Sequence, residues 1–268
     1  MKDYSIGVET VAGETKAVLI GGGHISQKLS VVLNNRGLSC LIISNPKDLD
    51  LSTSPEFVFL FNEDDGKLPE IVLNFVESIK SKLIVVSIDR ACGEKAIGQC
   101  LSRDIDFCSA AIYDLYGNGE SGSALGKIFS EIRNQKVVTF KNDMIFITPV
   151  YIDDAVEGLC RIAFSIQTFK KNFLLTGKKE IPLVGFVQRV GTEASQTFGL
   201  LPKPTEYGQA YPETIARHEK ILKRDESYLL LNWRPEVDLP FGIKSTLELL
   251  KTANKDQPEI KKKIILSP

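Results

Sequence analysis

The sequence predicts an α/β chain: a Rossmann-like, doubly wound parallel sheet completed by a smaller C-terminal α/β region. Three observations predict it. Between Ala17 and Leu33 an apolar strand breaks into Gly21, Gly22 and Gly23 and then into an amphipathic helix. Downstream, apolar segments of strand length alternate with helical ones, the pattern of βαβ units. After Thr176-Gly177 the segments shorten and proline becomes more frequent, which marks a change of organisation.

The opening unit carries the first chemistry. A strand, a glycine turn and a helix in that order let the backbone approach a pyrophosphate, while the helix turns its unpaired N–H groups and positive dipole end on the same anion. Gly21 and Gly23 take the first two positions of G-x-G-x-x-G, and Ser26 stands at the third. The fingerprint is therefore worn, and an ordinary glycine-rich turn is its alternative. Ile25, Leu29, Val32 and Leu33 fall at helical spacing, and Gly37 follows where a C′ residue belongs. The residues expected around a dinucleotide are Gly21, Gly22, Gly23, His24 and Ile25, joined by Ser44 and Asn45 at the end of the second strand.

The remaining elements follow the same periodicities. Ser39 to Ile43, Phe57 to Phe61 and Leu83 to Ser87 read as the second, third and fourth strands. Leu68, Ile71, Val72, Phe75, Val76 and Ile79 form one apolar helix face between the last two. A helix from about Glu94 to Arg103 leads to a strand from Phe107 to Tyr113. Ser121 to Asn134 is helical, with Leu125, Ile128, Phe129 and Ile132 inward, and Val137 to Phe140 is a short strand. Asp153 is placed to N-cap a helix carrying Val156, Leu159, Ile162 and Ala163. Helices near Glu213 to Lys223 and Phe241 to Thr252 complete the chain.

Composition excludes several classes. The 268 residues are 43% hydrophobic and 25% charged, with a net charge of -1. That is enough chain for a sizeable core and no basic excess for neutralising nucleic-acid phosphates. The Lys261-Lys262-Lys263 run reads as a solvated tail. Cys40, Cys92, Cys100, Cys108 and Cys160 lie far apart without C-x-x-C spacing, so free thiols are expected rather than disulfides or a metal site. No apolar run reaches membrane-spanning length and Met1 to Lys16 has no signal-peptide core. A cytoplasmic protein is expected, with no nucleic-acid or membrane partner.

Three further segments carry a resemblance. Leu115-Tyr116-Gly117-Asn118-Gly119, then Val150-Tyr151-Ile152-Asp153-Asp154-Ala155-Val156, then Leu231-Asn232-Trp233-Arg234-Pro235 with Leu239 and Gly242, resemble landmarks of the extended (atypical) short-chain dehydrogenase/reductases. That family includes the NAD-dependent epimerases and dehydratases acting on nucleotide sugars. With the glycine-rich opening, the similarity runs from Lys16 to about Thr252. It implies a Rossmann domain binding NAD or NADP, a small C-terminal α/β substrate lobe gripping a nucleotide-diphosphate sugar, and chemistry in the cleft between them. It also suggests a homodimer through the helices near Leu68 to Ile79 and Glu94 to Arg103. The expected organisation is an N-terminal extension over 1–15, a dinucleotide-binding domain over 16–150, a mixed region over 151–253 that completes the sheet and forms the substrate lobe, and a polar tail over 254–268.

In the family a Ser or Thr after a central strand and a Tyr-x-x-x-Lys on the next helix move the proton. Ser87 and Lys95 stand in the serine and lysine places, and the tyrosine place holds Ala91. None of the seven tyrosines has a lysine four residues on. The segment between Ser87 and Lys95 is also shorter than the family's, which removes a substrate-facing loop. Asp114 stands where an asparagine is usual, and Ile147 and Pro149 replace charged and aromatic residues. Tyr116, at the mouth of the cleft, is the candidate to supply the lost hydroxyl; Tyr113 and Tyr151 read as sheet residues. Cys92 is either a nucleophile beside the vacant tyrosine place or a small packing residue. His24 is either catalytic or a capping or solvent-facing residue, His218 is a surface residue, Trp233 reads as structural, and Arg234 is either structural or a residue that helps hold substrate. The second strand ends without an acid for a ribose diol and Lys47 follows, which leans toward NADP; a simple turn through Ser44, Asn45 and Pro46 is equally open. Two functions follow: an NAD(P)-dependent epimerase, dehydratase or reductase on a nucleotide-linked sugar, or a catalytically inactive binding or regulatory protein on the same fold.

Overall fold

A computed structural model of the chain describes residues 15–62, 67–89, 91–117, 123–136, 139–140, 145–165, 170–199, 206–207 and 217–253. The expected N-terminal extension, the polar tail with its lysine run, and Asn118 and Gly119 lie outside them. In chain order the elements are β1 (Ala17–Ile20), α1 (Gly23–Asn35), β2 (Cys40–Ile43), β3 (Phe57–Phe61), α2 (Glu70–Ile79), β4 (Lys82–Ile88), α3 (Glu94–Ser102), β5 (Phe107–Ile112), β6 (Leu115–Tyr116), α4 (Ala124–Arg133), β7 (Thr139–Phe140), β8 (Phe146–Ile147), β9 (Val150–Tyr151), α5 (Ile152–Phe164), β10 (Asn172–Leu175), β11 (Ile181–Pro182), α6 (Leu183–Phe198), β12 (Glu206–Tyr207), α7 (Arg217–Leu231) and α8 (Leu239–Ala253).

Six strands form one parallel sheet in the order β2-β1-β3-β4-β5-β10. The chain steps outward from β1 to β2, then crosses back to lay β3 on the other side of β1. Strand order therefore reverses between β1 and β3, and in such sheets a crevice opens at the carboxyl ends of the strands at that point. Both faces are buried, which is why the strands read as nearly continuous apolar runs rather than as alternations. Val18, Ile20, Val58, Leu60, Leu83 and Val85 pack under α2 and α3. Leu19, Phe59, Ile84 and Val86 pack in a second core that reaches α1 and α5 and continues without a break into the C-terminal region.

Helices α2 and α3 bury Val72, Leu73, Phe75, Val76, Ala96 and Cys100 against the sheet. Between their outer surfaces Arg103 donates to Asn74 Oδ1 at 2.7 Å and pairs with Glu70 and Glu77. Helix α1 ends as its sequence predicts, with Gly37 at φ +83° and Leu38 N–H donating to Leu33 O at 3.0 Å. Lys82, at the start of β4, caps another helix. Its Nζ donates to Ile162 O at 3.0 Å and Ser165 O at 3.1 Å, satisfying carbonyls orphaned at the end of α5.

Two boundaries differ from expectation. Helix α5 starts at Ile152 with Tyr151 as N-cap, so Asp153 lies in the first turn, where its carboxylate faces the positive helix end and pairs with Lys28. The helix expected near Glu213 to Lys223 continues to Leu231, because Tyr228 and Leu231 anchor its second half in the core; residues 213–216 of the expectation lie outside the described residues. Ser227 Oγ there accepts from Leu174 N–H at 2.8 Å, covering part of the sheet edge at β10.

Two glycines give opposite tests of this packing. A Cβ on Gly177 would meet the Pro149 carbonyl carbon at 2.9 Å, and backbone cannot step aside. Gly177→Ala should therefore lower unfolding stability by about 1–3 kcal/mol. Gly185 lies inside α6 with open space at its Cβ position. Gly185→Ala should raise stability by about 0.5–1 kcal/mol, both being read from urea unfolding midpoints at constant m.

Candidate functional site

The glycine turn joins β1 to α1 at the point where strand order reverses. Gly21, Gly22 and Gly23 have φ of +76°, +80° and +50°, a left-handed run that glycine alone adopts without strain. Gly21 N–H donates to Ile43 O at 2.9 Å, which ties the turn to β2. Gly22 is the N-cap of α1, and a Cβ there would lie 2.5 Å from the ring of Phe61, the last residue of β3. Phe61 thus supports the turn from beneath. Ser26, at the third fingerprint position, is buried and donates its hydroxyl to Gly23 O at 2.8 Å. That internal bond lets serine replace glycine without leaving a buried polar group unpaired.

What remains open is what an anion needs. The first-turn N–H groups of Gly23 and His24 have no acceptor among the described residues, as helix geometry dictates. His24 Nε2 is buried without a hydrogen-bond partner among them. The Ile25 side chain is buried in the core, so only its backbone can face a ligand. At the end of β2, Ser44 is exposed, and Asn45 Oδ1 accepts from Lys47 N–H at 2.9 Å to cap the 3-10 turn Pro46–Asp48. Asn45 therefore makes the turn. These residues fit a dinucleotide: Gly21 to His24 would hold the pyrophosphate, and no acid at the end of β2 opposes a 2′-phosphate.

The three candidates for proton chemistry lie apart. Ser87 is buried on β4, opposite Ala111 of β5, and strand alternation turns it to the α2–α3 side. Lys95 lies exposed in the first turn of α3, and Ala91 is exposed just before it. Tyr116 is only 1% exposed, with its ring centroid 5.4 Å from that of Tyr151, 5.8 Å from Phe186 and 6.1 Å from Phe129, and its hydroxyl end against Gly242 of α8. Burial first, then the charges of Asp154, Tyr151 and Asp238, push its phenol far above the ordinary value of 10. Tyr116 holds its proton at neutral pH. Among the described residues no hydrogen bond or ion pair joins Ser87, Lys95 and Tyr116. Cys92 is pushed up to about 11 by burial, so at neutral pH it is a thiol and suits packing better than attack.

Two aspartates that the sequence reading did not value organise the carboxyl ends of the strands. Asp89, at φ +55°, accepts from Asp114 N–H at 3.0 Å and Ala124 N–H at 2.7 Å. Asp114, at φ +57°, accepts from Thr148 N–H at 2.7 Å and Thr148 Oγ1–H at 3.1 Å. Thr148 and Thr176 share a 2.6 Å hydroxyl contact, and Tyr228 donates to Thr176 O at 2.8 Å. The signal for Asp114 was its place just before Tyr116, where an asparagine was expected. Asp89 gave none.

Beyond this network a cavity of about 220 Å³ opens in the C-terminal region, walled in part by Tyr116, Asp154, Lys179, Arg189 and Asp238. Asp154 accepts from Glu236 N–H at 2.9 Å and Val237 N–H at 3.0 Å, pinning the segment before α8. A more open cavity of about 450 Å³ lies between α1 and α5, beginning at His24.

No family model matches this sequence, and no curated protein matches it. Solved structures do. MoeE5, in complex with UDP-glucose and NAD, superposes with a TM-score of 0.68 at 14% identity over 89% of this chain and 99% of its own. UDP-glucuronic acid 4-epimerase from Bacillus cereus, with UDP-glucuronic acid and NAD, gives 0.68 at 14% identity over 88% and 99%. RMD from Pseudomonas aeruginosa, with NADPH, gives 0.67 at 10% identity over 89% and 100%. The fold is theirs. The Rossmann-like sheet expected from the resemblance to the extended short-chain dehydrogenase/reductases is borne out along nearly the whole of these chains.

Two measurements probe this site. Gly22→Ala should destabilise the protein through both its φ and the Phe61 contact, and adding Phe61→Ala should relieve only the contact, leaving the double variant less stable than Phe61→Ala alone. Tyr116 and Tyr228 are both raised above 10 by burial in the fold. Their contribution is fully present below pH 10 and is lost as pH rises past it, because the unfolded chain then ionises first. Stability should fall above pH 10 by up to about 1.4 kcal/mol per pH unit for each such tyrosine, with their phenolate absorbance appearing together with loss of circular dichroism.

Proposed function

We propose that this chain binds NAD or NADP on the Gly21–His24 turn and acts as an epimerase, dehydratase or reductase on a nucleotide-linked sugar. The observation that carries the reading is the turn itself: three glycines in left-handed conformation, at the reversal of strand order, opening a helix whose first N–H groups have no acceptor among the described residues. The complexes of MoeE5 and of the Bacillus cereus epimerase with NAD support it. In this reading Ser44 and Asn45 lie beside the adenosine ribose, and Lys95, exposed at the start of α3, faces the ligand, while Ser87 stays buried on the α2–α3 side of the sheet. Tyr116, which keeps its proton, serves only as a donor. The cofactor supplies hydride exchange; this chain supplies position and proton control. The reading extends to a cytoplasmic homodimer in which the outward residues of α2 and α3, among them Asn74 and Leu101, meet a second copy, and a monomer at micromolar concentration by light scattering would exclude the dimer. Among the described residues no helix is long and apolar enough to cross a membrane.

One observation favours a second reading, a catalytically inactive binding or regulatory protein. The tyrosine place holds Ala91, and Tyr116 is buried in an aromatic cluster instead of replacing it. A positioned acid or base contributes roughly 10²–10⁴ in rate, so turnover of ordinary nucleotide sugars should be slow by about that factor. Mass spectrometry of small molecules released from the denatured protein separates the cases: NAD(P) with a nucleotide sugar supports the enzyme, NAD(P) alone supports the binding protein, and a Gly23→Val protein that is folded yet keeps wild-type cofactor affinity defeats both. Ala91 lies before α3 and outside the helix, so Ala91→Tyr does not restore the one-turn spacing to Lys95 and should not by itself restore turnover.

A further inference from the structure

The 220 Å³ cavity of the C-terminal region has an uneven chemistry. Lys178, Lys179 and Arg189 reach it with exposed side chains that make no ion pair or hydrogen bond among the described residues. Three cations lining one small volume repel one another, and the repulsion is relieved when an anion sits between them. The rest of the lining is different. Asp238 adds a carboxylate, Tyr116 a phenol that stays protonated, and Asp154 a carboxyl whose two oxygens already accept Glu236 N–H and Val237 N–H. Prolines 149, 235 and 240 with Leu239 and Ile181 add apolar surface.

An inorganic anion satisfies the cations only. A ligand carrying a phosphate at one end and several hydroxyls on a C–H-rich ring satisfies the whole lining: phosphate oxygens to the cations, a hydroxyl to Asp238, ring face to the apolar residues. The volume suits that size and is too small to enclose a whole nucleotide-linked sugar. We propose that this cavity binds a phosphorylated sugar or polyol, as a site separate from the glycine turn, with Lys179 and Arg189 holding the phosphate and Asp238 accepting a hydroxyl. The inference rests on the preceding reading only in taking the C-terminal region as the place of a sugar ligand.

Calorimetric titration of the full-length protein with glucose 1-phosphate, inorganic phosphate, glucose and UDP-glucose tests it, with NAD titrated in parallel. Glucose 1-phosphate should bind, glucose should not, and inorganic phosphate should bind more weakly than the sugar phosphate. Lys179→Ala and Arg189→Ala should each weaken glucose 1-phosphate by about tenfold or more, the loss of a charge-assisted hydrogen bond, while leaving NAD affinity unchanged. Asp238→Asn should weaken glucose 1-phosphate without changing inorganic phosphate. Equal affinity for inorganic phosphate and the sugar phosphate overturns the sugar part of the site. Binding of UDP-glucose without glucose 1-phosphate, or variants that melt like the wild type and bind like it, overturns the whole inference while leaving the dinucleotide reading intact. Loss of NAD binding in the wild type defeats that earlier reading and not this one.

Discussion

Everything C-terminal to β5 hangs on two aspartates held in left-handed conformation. Asp89 ends β4 and reaches forward to the backbone of Asp114 and to the first N–H of α4, and Asp114 in turn holds Thr148. An ionised acceptor on a backbone N–H contributes about 1.5–3 kcal/mol net, and losing one would leave several buried donors unpaired at once. The left-handed φ at each aspartate costs on the order of 1 kcal/mol, which those bonds exceed. The relay passes through Thr148 and Thr176 to Tyr228, so one chain of polar contacts fixes α4, the β8–β9 segment, β10 and α7 against the same sheet edge.

That solution has a consequence for chemistry. The carboxyl edge of a parallel sheet is where ligands bind, yet part of this one is occupied by scaffold. Asp89 lies two residues after Ser87, and its carboxylate is taken by backbone donors, so it is not available as a base. The crevice is left with two unlike regions. Around Gly21 to His24 there are N–H donors without an acceptor among the described residues, a setting for phosphate. Toward the C-terminal region buried phenols and Asp154 are shifted toward their neutral forms, a setting for hydroxyl groups and neutral hydrogen bonding.

Legibility in the sequence followed the range of the interactions involved. The βαβ pattern, the glycine turn and the C′ role of Gly37 depend on residues within one turn or one strand of each other, and each was readable. The helix start at Ile152 was misplaced by the attraction of Asp153 as a cap, since a carboxylate in the first turn and one at the N-cap look alike in a string. The second half of α7 was missed because the partner that buries Ser227 is Leu174, 53 residues away. Asp89 was invisible for the same reason. Tyr116 was read as a cleft residue from its place after a strand, and only the rings of Phe129, Phe186 and Tyr151, all distant in sequence, show it as core.

Lys95 is the residue that local energetics explain least without a ligand. It occupies the first turn of α3, where the helix dipole disfavours a cation by about 0.3–1 kcal/mol, and it has no ion-pair partner among the described residues. Glu94 beside it has the favourable sign for that turn, so the position itself accepts acids. Ala91, in the segment before the helix, offers neither a hydroxyl nor a charge. With the connection from β4 so short, Lys95 is also held near the carboxyl edge of the sheet by the chain itself. A phosphate or ribose hydroxyl drawn to the crevice by the glycine turn would reverse the sign of the electrostatic cost, turning an unfavourable cation into a counter-charge. The same reversal would occur whether the bound molecule reacts or is only held, which is why Lys95 bears on the presence of a ligand and Ala91 bears on turnover.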